Sequence, residues 1–339
     1  MKFSKNLVVL AMCVLASGCA EKNVPESNGQ GSVAECGNLV VKVSHESAKV
    51  RSVADYGRVL SDESVVHKLD VFVFDATTGC LERSTTKSST DAECRFELPV
   101  GEKIVYAVVN GPDMSRVQSL DQIRALKYDL SEVTIKDDGF MMIGSEECSV
   151  SQGAVSSPEI FVRRMVSRVE LRSIKCNIAS QYGAMKVECA YLGNAYSSQL
   201  FSGTVGALLN PGGYADDERV VPIGLNGVTG SCPEYLYRAM ALDVARGETS
   251  SEPVYLYCQP DGGEGCSCLY LLVSIGQDKY YYRVPLDKGL FANTTCVVNA
   301  VITNLGAPLP PDGVVQKGEI VASVIIEGWD TGSQYDAEF

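Results

Sequence analysis

The sequence has very few of the residues that most enzyme mechanisms require. Its 339 residues include only two histidines, His45 and His67, so a Ser/His or Cys/His nucleophile system is hard to assemble. The chain also lacks a G-x-S-x-G elbow, an H-E-x-x-H helix, a Walker loop and a G-x-G-x-x-G turn after a strand. We therefore expect a protein that is not an enzyme and that needs neither a metal nor a cofactor.

Positive charge and long apolar runs are also scarce. The net charge of −13 argues against a nucleic-acid partner, because such a partner requires a basic surface that releases counterions. After the first few residues, no stretch is long and apolar enough for a transmembrane helix, so the rest of the chain is expected to be soluble. The 45% hydrophobic content is nevertheless sufficient for large cores, and the length allows two domains.

The few candidate site residues have simple structural explanations. Asp137 and Asp138 precede a glycine and are typical of a turn, and Asp216–Glu218 are typical of a solvated loop rather than an acid/base pair. The run Tyr280–Tyr282 could form a carbohydrate platform. In an alternating strand, however, Tyr281 faces away from its two neighbours, which favours ordinary packing.

The N-terminus indicates export. Lys2 and Lys5 precede an apolar segment, Leu7–Leu15, and then the small-residue sequence ASGC that ends at Cys19. This pattern predicts a lipoprotein signal peptide, with a diacylglycerol on Cys19 that anchors the precursor in the outer membrane. An ordinary signal peptide cut nearby is the alternative. Residues Ala20–Ala34 are polar and lack periodicity, so they are expected to form a tether.

Thirteen cysteines are unusual for a chain without metal motifs. Eleven remain once Cys13 leaves with the signal peptide and Cys19 carries lipid, and an odd number cannot all pair. Cys258, Cys266 and Cys268 surround a glycine-rich turn. Because no histidine is near them in sequence, a hairpin tip with disulfides or buried thiols is favoured over a metal site.

Short strands with turn signals between them occur along most of the chain, which predicts a β-sandwich architecture with a domain junction at Ser149–Pro158. One short helix is expected after Ser119, which could cap it with Gln122 three residues on. The predicted strands are Leu39–Val43, Val65–Phe74, Arg95–Val100 and Lys103–Val109 as a hairpin, Phe140–Ile143, Ile160–Val162, Ser167–Ile174, Ala184–Leu192, Val254–Tyr257, Leu269–Ile275, Lys279–Val284, Cys296–Thr303 and Glu319–Glu327.

An ordered set of segments resembles the type V pilus fimbrillins, whose precursors are lipoproteins. The set covers nearly all of the chain after Cys19, and no single segment is diagnostic. Its members are LVVKVSHESAKVR and SDESVVHKLDVFVFD near the N-terminus, then AVVN, LDQIRAL, FMMIGS and RRMVSRVELRSI, and finally NAVITNLG and EIVASVIIEGWDTGSQ. The abundance of cysteine is a departure from many members of this family.

The resemblance implies a maturation mechanism. An arginine-specific protease would cut after Arg51, before Ser52, with Arg58 as second choice, and would remove the first strand. The C-terminal strand of a neighbouring subunit would then fill the vacated groove. The displaced side chains would be Leu39, Val41 and Val43, and the donor side chains Ile320, Ala322, Val324 and Ile326.

The resemblance also implies fold and partners. The fold would be mainly β, with two β-sandwich domains of the transthyretin-like, Greek-key kind and few short helices. Partners would be other fimbrial subunits, the protease, the outer membrane before cleavage and a surface receptor. The expected divisions are a signal peptide (1–18), a lipidated propeptide with the removable strand (19–51), an N-terminal domain (52–158), a C-terminal domain (159–313) and the donor strand (314–339).

The strand chemistry fits this mechanism. Both the first and last strands alternate apolar residues on one face, and the proline-rich segment Ala307–Gly313 could carry the last strand away from its own domain. Cleavage would also remove Cys36 and leave ten cysteines, an even number. The alternatives are a tip, accessory or anchor pilin of the same system, a last strand that completes its own sheet, and a lipid-anchored glycan-binding protein with exposed aromatic platforms.

Overall fold

The chain is mainly β, as the sequence predicts. The structure, a computed structural model, describes residues 36–45, 63, 65–90, 93–130, 138–196, 198–203, 208–209, 235–263, 267–308, 320–328 and 334–335. Its strands are β1 (Cys36–His45), β2 (Leu69–Asp75), β3 (Leu81–Lys87), β4 (Cys94–Pro99), β5 (Gly101–Val109), β6 (Lys127–Asp129), β7 (Met142–Val150), β8 (Val155–Ser156), β9 (Glu159–Arg164), β10 (Ser167–Cys176), β11 (Met185–Gly193), β12 (Ala195–Tyr196), β13 (Ser198–Leu200), β14 (Leu208–Leu209), β15 (Tyr237–Val244), β16 (Thr249–Ser250), β17 (Val254–Cys258), β18 (Cys268–Ile275), β19 (Asp278–Pro285), β20 (Thr294–Ile302), β21 (Ile320–Gly328) and β22 (Gln334–Tyr335).

The first sheet contains eight strands in the order β3-β2-β5-β7-β9-β1-β4, with β8 also paired to β1. Most neighbours in it are antiparallel, but β1 runs parallel to β8 and β9. Strand β1 is therefore an interior strand, although it is the first strand that the structure describes.

One face of this sheet encloses a hydrophobic core that we call the inner cluster. It is built from alternate residues of five strands, as a period of two along each strand requires, together with the two ends of β7. The members are Leu39, Val41, Val43, Leu69, Val71, Val73, Cys94, Phe96, Leu98, Val105, Ala107, Val109, Met142, Val150, Ile160 and Val162. Strand β2 is buried on both faces, because Phe72 and Phe74 pack into a second core, and this explains its uninterrupted apolar run.

Two further sheets of four or more strands lie in the second half of the chain. One has the order β16-β10-β20-β21-β22 with β17 also on β10, and the other has the order β15-β11-β18-β19. The second core, which we call the large cluster, combines residues from these sheets with others from the first half, for example Phe140 and Tyr257, whose rings are 4.9 Å apart. A small tyrosine cluster on β11, β18 and β19 contains the stacked pair Tyr191 and Tyr270.

The predicted start of the second strand is wrong. Residues 65–68 do not extend β2, because the side chain of Asn110 binds their backbone. Its Oδ1 accepts hydrogen bonds from the backbone N–H groups of His67 (2.8 Å) and Lys68 (3.3 Å). Its Nδ2 donates to the carbonyl of Val65 at 2.7 Å. Asn110 itself has a φ of 51°, a left-handed conformation that asparagine adopts more readily than most residues.

The predicted hairpin of the fourth and fifth strands is also wrong. These strands follow each other closely, yet β4 pairs with β1 while β5 pairs with β2 and β7. The turn includes Gly101, whose φ of 131° is accessible to glycine. Both strands point apolar residues into the inner cluster from different positions in the sheet, so alternation alone could not reveal their partners.

The predicted helix is confirmed over Leu120–Arg124. Ser119 is its N-cap, and its Oγ accepts a hydrogen bond from the backbone N–H of Gln122 at 3.3 Å. Among the described residues, no helix is long and apolar enough to cross a membrane. The domain boundaries stay predictions, although β9, at Glu159–Arg164, pairs within the first sheet.

Candidate functional site

The predicted removable strand fills a defined space in the first sheet. Strand β1 lies between β4 on one side and β8 and β9 on the other, above the inner cluster. We call this space the slot. Another strand can take the place of β1 in the slot only if it supplies equivalent buried side chains and backbone hydrogen-bonding groups.

The side chains of β1 alternate between core and solvent. Leu39 and Val41 are 0% exposed and Val43 is 7% exposed. On the opposite face Asn38 and Lys42 are exposed, whereas Val40 between them is only 8% exposed. Burial of three such apolar side chains contributes about 1.5–3 kcal/mol each. The slot therefore recognises an apolar residue at every second position, as the sequence predicts.

The backbone of β1 is bonded along both edges. Six residue pairs join it to β4, from Cys36 opposite Pro99 to Val41 opposite Cys94. On the other edge, residues 38–39 pair with β8 and residues 42–45 pair with β9. Loss of β1 would leave two unpaired strand edges facing each other, and such edges bind extended chain.

One end of the slot is too narrow for any side chain. A Cβ placed on Gly37 would lie 2.4 Å from the backbone oxygen of Ser151 and 2.7 Å from Cγ1 of Val150. Real Cβ atoms essentially never approach a backbone atom this closely. Gly37 shares the inward parity of Leu39, so the inward face of β1 reads Gly, Leu, Val, Val from its N-terminal end. No sequence pattern marks Gly37 as a residue of the slot.

A cysteine lies in the slot wall. Cys94 is opposite Val41 in the β1–β4 pairing and is almost completely buried. Burial raises the pKa of its thiol, because the charged thiolate is poorly solvated there, and Lys87 offsets only part of this effect. The thiol therefore stays protonated and shielded while β1 is in place.

A buried ion pair fixes the chain just after the residues that contain the predicted cleavage sites. Arg168 Nη1 donates to both carboxylate oxygens of Glu63, at 2.9 and 2.7 Å, and the Tyr257 hydroxyl donates to Oε1 at 2.8 Å. Arg168 Nε also donates to Thr295 Oγ1 at 3.0 Å, and Arg164 Nε donates to the Glu63 carbonyl at 3.1 Å. These contacts attach Glu63 directly to strands β9, β10 and β17, and through Arg168 to β20.

This network raises the pKa of the Tyr257 hydroxyl. Burial is the main cause, and the negative charge of Glu63 adds to it, while Arg168 acts in the opposite direction. Both Glu63 and Arg168 are at most 1% exposed. A lone glutamate in a polar run carries no sequence pattern that predicts such burial, so the ion pair could not be predicted from the sequence.

The predicted donor strand lies in a sheet of its own chain. Strand β21 pairs antiparallel with β20 over nine residues, from Ile302 opposite Ile320 to Thr294 opposite Gly328. Val324 is buried in the large cluster and Ala322 packs against it. The side chains of Ile320 and Ile326 are outside the described residues. In the structure described here, β1 fills the slot and β21 completes its own sheet.

Several of the other predicted site residues lie outside the described part of the chain, and the described cysteines of the predicted glycine-rich turn lie apart from each other. Cys19, Arg51, Ser52 and Arg58 lie outside the described residues, as does Cys266. Cys258 and Cys268 are buried in different clusters, the large one and the tyrosine one, and their strands β17 and β18 belong to different sheets. The predicted hairpin tip is therefore wrong, whereas the burial expected for these cysteines is confirmed. No group of three His, Cys, Asp or Glu residues suited to a metal occurs in the described part of the chain.

The three tyrosines proposed as an alternative carbohydrate platform are packed. Tyr281 belongs to the tyrosine cluster, whereas Tyr282 belongs to the large cluster and Tyr280 packs against it. The alternation predicted from the sequence is confirmed. None of the three presents an exposed ring of the kind that stacks on a sugar.

Comparisons with solved structures agree with the architecture. No protein-family model matches the sequence, and no curated protein matches it either. A proposed cell adhesion protein from Parabacteroides distasonis matches with a TM-score of 0.64 at 14% identity, over 89% of this chain and 100% of that one. A fimbrilin from Porphyromonas gingivalis matches with a TM-score of 0.59 at 13% identity, over 88% and 98%.

The fold is that of the fimbrillins. A proposed cell adhesion protein from Bacteroides eggerthii also matches, with a TM-score of 0.59 at 14% identity, over 89% of this chain and 98% of that one. At these identities the likeness concerns the fold, and it confirms the mainly β architecture and the family resemblance at that level. These solved structures are named for adhesion or fimbriae rather than for an enzymatic reaction.

Proposed function

We propose that this chain is a structural subunit of a cell-surface pilus that supports adhesion, and that it polymerises by strand replacement after proteolysis. One observation carries the proposal. The first described strand, β1, is an interior strand of its sheet, and the predicted cleavage sites follow it directly in sequence. A single cut there would separate the strand from the rest of the chain.

The donor in this proposal is β21 of a neighbouring subunit. Its residues Ile320, Ala322, Val324 and Ile326 share one parity, as Leu39, Val41 and Val43 do in β1. An incoming strand regains most of the apolar burial and both backbone ladders that the lost strand supplied. In the donor subunit β21 would leave its pairing with β20. Assembly therefore moves β21 from the sheet of its own chain to the slot of a neighbouring subunit.

The buried ion pair explains how a cut subunit would keep its shape. Cleavage after Arg51 or Arg58 leaves Glu63 on the C-terminal fragment. Its bonds to Arg168 and Tyr257 would hold the new N-terminal segment beside β10 and β17. Only the piece that contains β1 would then be free to leave.

The earlier steps belong to the same proposal. The precursor is lipidated at Cys19 and held at the outer membrane, an arginine-specific protease releases the propeptide, and the subunit joins other fimbrial subunits. The fold of the solved relatives supports this sequence of events, because it is shared with a fimbrilin.

Treatment of the purified chain with an arginine-specific protease tests the proposal, because trypsin would also cut after Lys49 in the same segment. We expect one dominant early cut after Arg51, identified by N-terminal sequencing, followed by filaments in electron micrographs. The matched controls are Arg51→Ala, Arg58→Ala and the double variant. The double variant should stay monomeric under the same treatment.

Two results would overturn the proposal. One is a chain that is cut between β1 and β2, releases the N-terminal piece and stays monomeric at high concentration. The other is filament formation by the uncut double variant.

A further inference from the structure

We propose that Gly318 sets the register of the incoming donor strand, which runs in the direction of β1, by occupying the position that Gly37 occupies in β1. This inference rests on the proposed function, since it concerns how the donor strand fits the slot. It identifies a specificity-determining residue that apolar alternation alone does not reveal.

The constraint comes from the closed end of the slot. At Gly37, any Cβ would meet the Ser151 backbone oxygen at 2.4 Å, and a backbone atom cannot rotate away as a flexible side chain can. The same Cβ would lie 2.7 Å from Cγ1 of Val150, which is itself buried in the inner cluster. A strand that reaches this end must therefore present a glycine there.

The C-terminal segment presents a glycine at the matching distance. The inward positions of β1 are Gly37, Leu39, Val41 and Val43, and the segment GEIVASV provides Gly318, Ile320, Ala322 and Val324 at the same spacing. The outward positions also correspond. Exposed Asn38 aligns with Glu319, largely buried Val40 with Val321, and exposed Lys42 with Ser323.

The segment is nearly palindromic, so direction requires a separate argument. Read backwards, Gly328, Ile326, Val324 and Ala322 have the same spacing. A reversed strand, however, would have to pair parallel with β4 and antiparallel with β9, whereas β1 does the opposite. Parallel and antiparallel ladders place their hydrogen bonds differently. A donor strand that runs in the direction of β1 can form the same backbone hydrogen bonds with both neighbouring strand edges. One of these is the bond to the Pro158 carbonyl, which accepts from the backbone N–H of Lys42 at 3.2 Å.

Two substitutions that each add one methyl group distinguish the two directions of the donor strand. Gly318→Ala and Gly328→Ala are made in the full chain, and each protein is treated with the arginine-specific protease and followed by light scattering and electron microscopy. An added methyl in a packed site is destabilising, so Gly318→Ala should slow filament growth by about tenfold or more. Gly328→Ala should assemble like the unsubstituted chain.

Two measurements keep the result interpretable. Thermal unfolding of each uncut precursor reports whether the substitution harms the subunit itself, and the rate of cleavage by the protease reports whether processing is intact. A Gly318→Ala precursor that melts and is cut normally but assembles slowly supports the proposal. A precursor with Gly37→Ala should melt at a lower temperature, because the same clash then occurs within one chain.

The proposal is overturned if Gly318→Ala assembles normally, or if Gly328→Ala is the variant that fails. In both cases the unsubstituted chain still forms filaments, so strand replacement survives and only the register is wrong. Failure of the unsubstituted chain to assemble after cleavage would instead refute the function on which the register depends.

Discussion

Substitution of Leu39 by alanine should destabilise the precursor and leave the mature filament unaffected. Leu39 is 0% exposed and belongs to the inner cluster, at the middle of the β1–β4 pairing. Leucine-to-alanine changes at such positions cost about 2–5 kcal/mol, from lost burial and from the cavity that remains. Once β1 has been released, residue 39 is no longer part of the subunit.

The effect is large enough to measure by urea unfolding. A loss of about 3 kcal/mol, with a slope near the upper end of about 1–3 kcal/mol per molar urea, lowers the midpoint by about 1 M. Lys42→Ala on the same strand is the matched control. Lys42 is exposed, so its change should stay within about 0.5 kcal/mol.

The filament measurement decides between a removable and a permanent strand. Filaments grown from protease-treated Leu39→Ala protein should resist urea as well as unsubstituted filaments do. If the substitution weakens the filament by the amount that it weakens the precursor, β1 remains in the slot and the replacement account is refuted.

Further predictions concern the buried charges and thiols. Glu63→Gln leaves Arg168 without its carboxylate partner and should cost about 3–5 kcal/mol in urea unfolding, and an unchanged midpoint would show that the pair contributes no stability. Burial raises the pKa values of the Cys189 and Cys296 thiols to about 12, well above the ordinary value of a cysteine thiol, so the unfolded chain loses these protons first. The contribution of these two thiols to the free energy of unfolding should therefore be constant below about pH 8 and fall as the pH rises from about 9 to 12. A stability that increases with pH over that interval would contradict these shifts.

Local patterns predicted individual strands well and their partners poorly. The alternation in Leu39–Val43 identified β1 and its buried face, and Ser119 identified the start of the helix, because both depend on neighbours within a few residues. Strand β3 was missed because its residues, LERSTTK, are mostly polar and partly exposed.

Features that depend on distant residues were out of reach of these patterns. Arg95–Val100 and Lys103–Val109 were expected to pair with each other, but β4 and β5 pair with strands that lie farther away in sequence. The same holds for Glu63, whose partner Arg168 is over a hundred residues away, and for Gly37, whose side-chain space is limited by Ser151. The narrow end of the slot is visible only in three dimensions.

Cross-linking between the slot wall and the donor strand tests the central claim most directly. Cross-strand neighbours have Cα separations of about 4.5–5.5 Å, within the range that disulfides span. Ala322→Cys and Val324→Cys variants are cleaved, assembled and mildly oxidised, and linked peptides are identified by mass spectrometry. Cys94→Ser is the control.

We predict a ladder of disulfide-linked subunits that are joined through Cys94. The uncut precursor should give no such ladder, because β1 covers that thiol. With Gly318 at the position of Gly37, residue 322 takes the position of Val41 opposite Cys94, so the Ala322→Cys variant should be the one that is linked. Filaments that form normally while neither variant is linked through Cys94 would contradict the claim that the last strand of one subunit occupies the slot of the next.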